Sequence, residues 1–334
     1  MQDDSTTRSS NPARAGFALF RPISRRFALA KRRAGRLDPL MQGLLWMISA
    51  GMVFALLNAC LRATSLHLNV YQVQFVRYFM GMLVMLPLVL RAGIAAYIPH
   101  NVAGQFYRGA VHTVGLMLWF TALPRIGLAD MTAIGFTGPI FIMLGAWLFF
   151  KEAMHWERWL AAGIGFAGVL VVVAPKLTGQ GGIYNLVMLA SAPMFAASFL
   201  LTKALTRTDR PEVIVFWQSI TVSIFSLPMA VLHWQQPSAA QWAVLALTGV
   251  LGSLGHYCIT RSFQIADISA TQSVKFMDLV WSACIGYLMF SDVPTQTTLV
   301  GGVIICASTI WIARREANRK NAATAASAAA AAEP

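Results

Sequence analysis

Charge is what this chain has least of, and the shortage decides its class. Of its 334 residues only 12% are charged, while 57% are hydrophobic, and the mean hydropathy is +0.60. A chain of this length would ordinarily divide into two soluble domains, but so few charges do not solvate two globules. The class that fits is an integral membrane protein. Acids are scarcer still, 13 against 26 bases, for a net charge of +13. A basic excess can mark nucleic-acid binding, yet here it clusters outside the apolar runs: Arg8 to Arg36 precede them, and Arg314, Arg315, Arg319 and Lys320 follow. Charge flanking membrane spans takes that form, so a lipid bilayer is the expected partner and nucleic acid is not.

Other absences narrow the chemistry. The four cysteines, Cys60, Cys258, Cys284 and Cys306, fall within apolar runs with no CxxC and read as small packing residues. There is no GxxxxGK[ST], so the chain is not expected to hydrolyse ATP, and transport would draw on a gradient or a partner. There is no HExxH, no cluster of Cys and His, and no GxSxG with supporting partners. Neither an enzyme nor a cofactor is expected. Residues 1 to about 38 lack an apolar core closed by a cleavage site, which argues against a secretory signal. They read as a disordered basic tail, with a true start at Met41 as the alternative.

What is present is a succession of about ten apolar runs near the roughly 20 residues that a bilayer requires. They centre on Leu40 to Ala63, Val70 to Leu90, Val102 to Leu123, Met131 to Phe150, Trp159 to Ala174, Ile183 to Ala204, Val213 to Leu232, Trp242 to Phe263, Ala270 to Phe290 and Leu299 to Ala313. Short connections leave no room for a soluble domain and suit adjacent antiparallel helices. With the amino terminus inside, the loops on that side hold Arg91, Arg108, Lys151, Arg158, Lys203, Arg207, Arg210 and Arg261, against little beyond Arg62, Arg125 and Lys176 opposite. Both termini are therefore expected to be cytoplasmic.

The second half repeats the first. Shifted by 141, Phe54 falls on Phe195, Arg62 on Lys203, Arg77 on Gln218 and Pro87 on Pro228; shifted by 140, Gly109 falls on Gly249, Gly115 on Gly255 and Glu152 on Asp292. The expected organisation is a tail at 1–39, a five-helix unit at 40–176, a second at 181–313 and a basic then Ala-rich tail at 314–334. Because five is odd, the second unit would sit inverted relative to the first, an arrangement used by carriers that rock around a midplane site.

These residues carry a resemblance. The Arg of FVRYFMG (Arg77), the WFTALPRIGLADMTAI segment, the proline of GFTGPIF (Pro139), the LFFKE corner (Glu152) with GIGFAGVLVVV behind it, and FSDVPTQTTLVGG in the second unit together resemble the EamA-type family of the drug/metabolite transporter superfamily. The resemblance covers roughly Leu40 to Ala313. It implies an all-α membrane protein with two inverted five-helix repeats, in a bacterial inner membrane, that moves small metabolites or drugs. Two departures stand out: Asp292 where the family usually has Glu, and FMDLVW where the first unit has its proline.

Ionisable groups inside spans are the natural site candidates. Arg77 lies about 10 Å into the second run at ~1.5 Å per residue; it snorkels to an interface or pairs with a carbonyl, or else meets a substrate anion. Lys275 and Asp278 stand where the first unit has Gly135 and Gly138, so this pair exists in one unit only. Three residues apart on one helix, they neutralise each other or face the cavity and a charged substrate. Trp119, Tyr257 and Trp281, with Phe136 and Phe276, sit in spans that border the cavity in the family. Pro139, Glu152 and Asp292 read as structural, the acids capping helices or pairing with loop cations. Asp130 and Asp267 read as first-turn acids, and His112 and His256 as hydrogen-bonded packing residues. The small residues Ala161, Gly165, Gly168, Gly302 and Cys306 suit close helix crossings that pack a monomer or join a homodimer.

The leading expectation is a secondary carrier that exports amino acids or related metabolites by alternating access. Uptake of a vitamin or nucleoside-like metabolite is the alternative, and a non-transporting multi-span protein is the third.

Overall fold

Beside an apolar core that includes Met47, Met143, Ile214, Leu245, Phe263 and Ile305, the protein buries polar side chains and exposes large apolar ones. Gln72, Gln74, Gln105, Arg108, His112, Gln218 and His256 are buried, whereas Leu88, Leu90, Trp147, Phe149, Leu232 and Leu288 are exposed. Water-soluble folds do the reverse. In a bilayer the apolar outside costs nothing, and polar groups retreat to where they find one another. The computed structural model describes residues 37–65, 67–122, 125, 134–153, 155–174, 182–291, 293 and 295–330.

The long helices are α1 (Pro39–Ser65), α2 (Val70–Ala92), α3 (Val102–Ala122), α4 (Gly138–Phe150), α5 (Trp156–Val173), α6 (Ile183–Leu205), α7 (Pro211–Leu232), α8 (Ala239–Ile265), α9 (Met277–Phe290) and α10 (Gln296–Ala330), with a one-turn helix Ile268–Gln272 before α9. Six of them, α1, α2, α6, α7, α8 and the first part of α10, are long and apolar enough to cross a membrane, and α4 is apolar but shorter. α3 has 21 residues, but Gln105, Arg108 and His112 on its buried side lower its apolar character. Local signals set the ends. The Asn69 side chain accepts the Tyr71 N–H ahead of α2, Ser238 and Gln241 form a reciprocal capping box ahead of α8, and Pro211 opens α7 where no amide partner is needed.

Two spans are broken at related places. Before α4 a helical turn ends at Phe136 and Thr137, and before α9 the one-turn helix gives way to turns at Ser273 to Phe276. Phe136 and Phe276, 140 residues apart, stack on each other at 5.7 Å and 18° where the breaks meet. The helices that follow also end alike: Lys151 and Ser291 are left-handed, with φ of 53° and 57°. Packing repeats in the same sense. α1 lies on α8 as α6 lies on α3, α9 lies on α1 as α4 lies on α6, and α2 with α7 and α5 with α10 complete the bundle.

Glycines fix the closest crossings. A Cβ on Gly249 would stand 2.6 Å from Met80 Cβ and 2.8 Å from the Gly81 nitrogen of α2, and Gly109 meets Thr221 of α7 in the equivalent crossing. Along α5 and α10, Gly165 faces Phe276 and Gly168 faces Gly301, while nothing lies within 4 Å of a Cβ on Gly302. The crossing residue on α10 is thus Gly301, one position before the one expected, because a small-residue stripe does not say which side meets the partner. Gly249→Ala is expected to lower stability by about 1–3 kcal/mol, since backbone must move, while Gly302→Ala leaves it unchanged. Unfolding midpoints of the two variants in the same detergent check this.

Candidate functional site

The polar core gathers between α2, α3, α6, α7 and α8. Tyr78 is its hub: its hydroxyl lies 2.9 Å from His112 Nε2 and 3.4 Å from His256 Nε2. His112 Nδ1 lies 3.1 Å from Ser198 Oγ. Phe195 and Phe54, equivalent in the two halves, stand edge-on to His112 and His256 at 5.4 and 5.2 Å. Beside the hub a small cleft is lined by Arg77, Tyr78, Gly81, Ser219, Gly249, Gly252, Ser253 and His256. Arg77 lies over the Tyr78 ring at 4.7 Å, and among the described residues no carboxylate pairs with it.

Lys275 and Asp278 join at 2.7 Å across the turn that opens α9, with side chains 20% and 26% exposed. Asp278 and Trp281 pack against α1 at Gly51, where a Cβ has no room. Lys275 Nζ also lies 5.7 Å from the centre of the Phe54 ring, whose edge reaches His256. The pair thus sits one aromatic ring away from the histidine hub. Trp281 Nε1 is buried without a hydrogen-bond partner among the described residues. Tyr257 packs edge-on to Trp46, and Trp119 packs against Phe120; neither lines the cleft.

Pro139 is buried in the first turn of α4, directly after the break. Glu152 reaches across to the other half: its carboxylate accepts the N–H of Ile268 at 3.1 Å, the N–H of Ser269 at 3.0 Å and the Ser269 hydroxyl at 2.5 Å. It therefore caps the one-turn helix 116 residues away rather than its own. Asp267, at the N-cap position, makes no cap hydrogen bond and pairs instead with Arg158 at 3.3 Å. Arg158 also donates to Ser269 Oγ at 2.7 Å, and Lys203 donates to the carbonyls of Phe263 and Ala266 at 2.6 Å. Asp292 and Asp130 lie outside the described residues.

Arg108 and Arg158, assigned to loops by sequence, are buried at 1% and 3% exposure. Arg108 donates to Thr202 Oγ1 at 2.5 Å, to the Ile214 carbonyl at 3.1 Å and to Gln218 Oε1 at 2.7 Å. Its apolar run begins at Val102, so its position near the run's start read as an interface; inside the bundle, three fixed acceptors replace water. Tyr78 went unremarked in the sequence, where only its neighbour Arg77 gave a signal.

The amino-acid sequence matches the model of the EamA-like transporter family over residues 41–174 and again over 182–314. Among curated relatives, the riboflavin transporter of Rhizobium johnstonii is 30% identical over 281 residues, covering 83% of this chain and 93% of the relative. The S-adenosylmethionine uptake transporter of Rickettsia prowazekii is 26% identical, covering 83% and 94%. The pseudopaline exporter of Pseudomonas aeruginosa is 26% identical, covering 83% and 98%. A solved structure described as a crystal structure of protein has a TM-score of 0.71 at 14% identity, covering 80% of this chain and 96% of that one; it shares the fold.

Proposed function

The chain belongs to the EamA-like transporter family, and from that premise we propose that it is a secondary carrier that moves a small organic metabolite across a bacterial inner membrane by alternating access. One observation carries the reading: the broken spans before α4 and α9, with their stacked Phe136 and Phe276, recur together with equivalent helix packing. Two five-helix units of opposite orientation account for both, with ten spans, both termini cytoplasmic, and a site where the units meet. Arg77, Lys275, Asp278 and Trp281 are its candidate substrate contacts.

The preferred substrates are amino acids or related compounds, with outward transport. A guanidinium without a carboxylate partner among the described residues and a partly exposed ammonium–carboxylate pair suit a solute bearing both charges, and Trp281 suits an apolar side chain. The relative named as a pseudopaline exporter fits the outward direction, and the one named for S-adenosylmethionine uptake fits the class of compound while running inward. A second reading, uptake of a vitamin or nucleoside-like metabolite, is favoured by the relative named for riboflavin.

The test is flux of radiolabelled L-amino acids, S-adenosylmethionine and riboflavin in proteoliposomes, with and without a proton gradient. Saturable flux of an amino acid is expected, and no substrate-dependent flux across the panel counts against the carrier. In Asp278→Asn the flux is expected to fall about tenfold or more, because removing the carboxylate's charge leaves Lys275 without its counter-ion inside the bundle, and the gradient dependence should disappear because the group that takes up a proton is gone. Intact flux with intact gradient dependence in that variant removes Asp278 from the mechanism.

A further inference from the structure

The cleft beside Tyr78 holds two polar atoms left over from the packing. Arg77 Nε and His256 Nδ1 are both buried, and neither has a hydrogen-bond partner among the described residues. His256 is 5% exposed, so its free nitrogen cannot turn to bulk water. Buried polar groups of this kind are ordinarily satisfied, and both belong to residues lining the same cleft. The rest of the wall is small: Gly81, Gly249 and Gly252 with the hydroxyls of Ser219 and Ser253. Gly252 lets the guanidinium lie against α8, since a Cβ there would stand 3.0 Å from Arg77 Nε.

We propose that this cleft is a carboxylate subsite, in which the N–H groups of Arg77 and His256 hold the acid group of the transported solute. The inference rests on the reading of the chain as a carrier and names the group by which its solute is recognised. Its free space, near 10 Å³, is about that of one water, so it takes a single carboxylate oxygen and excludes a ring, and the solute's body stays outside it. The charge account favours an anion. Arg77 and Arg108 bring two cations to the hub, Lys275 is already neutralised by Asp278, and the other groups facing His256 are Tyr78, His112 and Phe54.

The hydrogen-bond chain behind the cleft accommodates this without moving a net proton. For His256 to donate from Nδ1, its Nε2 must accept, so the Tyr78 hydroxyl donates to it. Tyr78 then accepts from His112 Nε2–H, and His112 Nδ1 accepts from the Ser198 hydroxyl. Each neutral imidazole carries one proton in this direction, as it does in the reverse direction with His256 Nδ1 bare. A bound carboxylate selects the first; the empty cleft leaves both open.

The experiment uses the whole protein in lipid nanodiscs with two probes of one shape, phenylacetate and the uncharged phenylacetamide. Phenylacetate is expected to raise the unfolding temperature and phenylacetamide is not, and the difference should vanish in Arg77→Met and in His256→Leu. In ¹⁵N-histidine NMR of the unsubstituted protein, phenylacetate should move the His256 Nδ1 resonance to the protonated range; this readout stands even where a variant does not fold. Equal shifts with both probes, an undiminished phenylacetate response in Arg77→Met, no response to phenylacetate, or an unmoved His256 signal each overturn the subsite. Because binding is scored without flux, the subsite can fail while the carrier stands, and the reverse.

Discussion

Arg108→Ala is expected to yield little or no monodisperse protein. The side chain is among the largest that are fully buried, and its fork ties α3 to α6 through Thr202 and to α7 through Ile214 and Gln218. Removing it leaves a cavity costing about 3–5 kcal/mol for a large side chain. It also strands acceptors at about 1–3 kcal/mol each when desolvated. Gln218 suffers most, because its Nε2 already lacks a partner. A total of that size is comparable with the whole stability of a typical domain, about 5–15 kcal/mol. Two further variants separate volume from hydrogen bonding. Arg108→Met keeps most of the volume and should remain strongly destabilised, whereas Arg108→Lys keeps a donor and should be milder, although an ammonium cannot reach all three acceptors in the planar geometry of a guanidinium. Size-exclusion profiles and unfolding temperatures in detergent rank the three. An Arg108→Met protein as stable as the parent would show that the ties contribute nothing net, as happens when a buried charge is replaced by a well-packed apolar group.

Local patterns were the ones that could be read in advance. The apolar runs and the 140-residue recurrence point to the repeated helices, because both are properties of the chain itself. Lys275 and Asp278 were visible as a pair because they are three residues apart. The Tyr78 hub was not, since its partners stand 34 and 178 residues away and the two histidines occupy non-equivalent positions in the halves. Arg108 misled because depth in an apolar run does not say whether a side chain points to lipid, to the interface or into the bundle. Glu152 was readable as a capping acid but its target was not, since the helix it caps begins 116 residues away and the left-handed turn at Lys151 lies just before it. The sequence reading of Asp292 as structural has no counterpart among the described residues.

Glu152→Gln is expected to loosen the end of the bundle at which the two halves are fastened. The carboxylate accepts three hydrogen bonds from the one-turn helix Ile268–Gln272, whose first N–H groups have no acceptor within so short a helix. Arg158 braces the same helix through Ser269 and Asp267. Under the alternating access proposed above, the halves part at one face while they close at the other, so a fastening between them would bias which face is open. An amide supplies one acceptor oxygen in place of two and turns an N–H₂ toward amide donors. Charge-assisted bonds of this type contribute about 1.5–3 kcal/mol, and that difference shifts a two-state population by about 10-fold or more. The reporter is Ser273→Cys, in a background with Cys60, Cys258, Cys284 and Cys306 replaced. Ser273 is 1% exposed and lies in the turn before α9, so a membrane-impermeant maleimide reaches it only when the bundle opens. Adding Glu152→Gln should raise its labelling from the Glu152 face about tenfold, with Glu152→Asp between the two. If labelling from that face stays unchanged while the variant remains monodisperse, Glu152 holds a helix end in place and does not set which face is open.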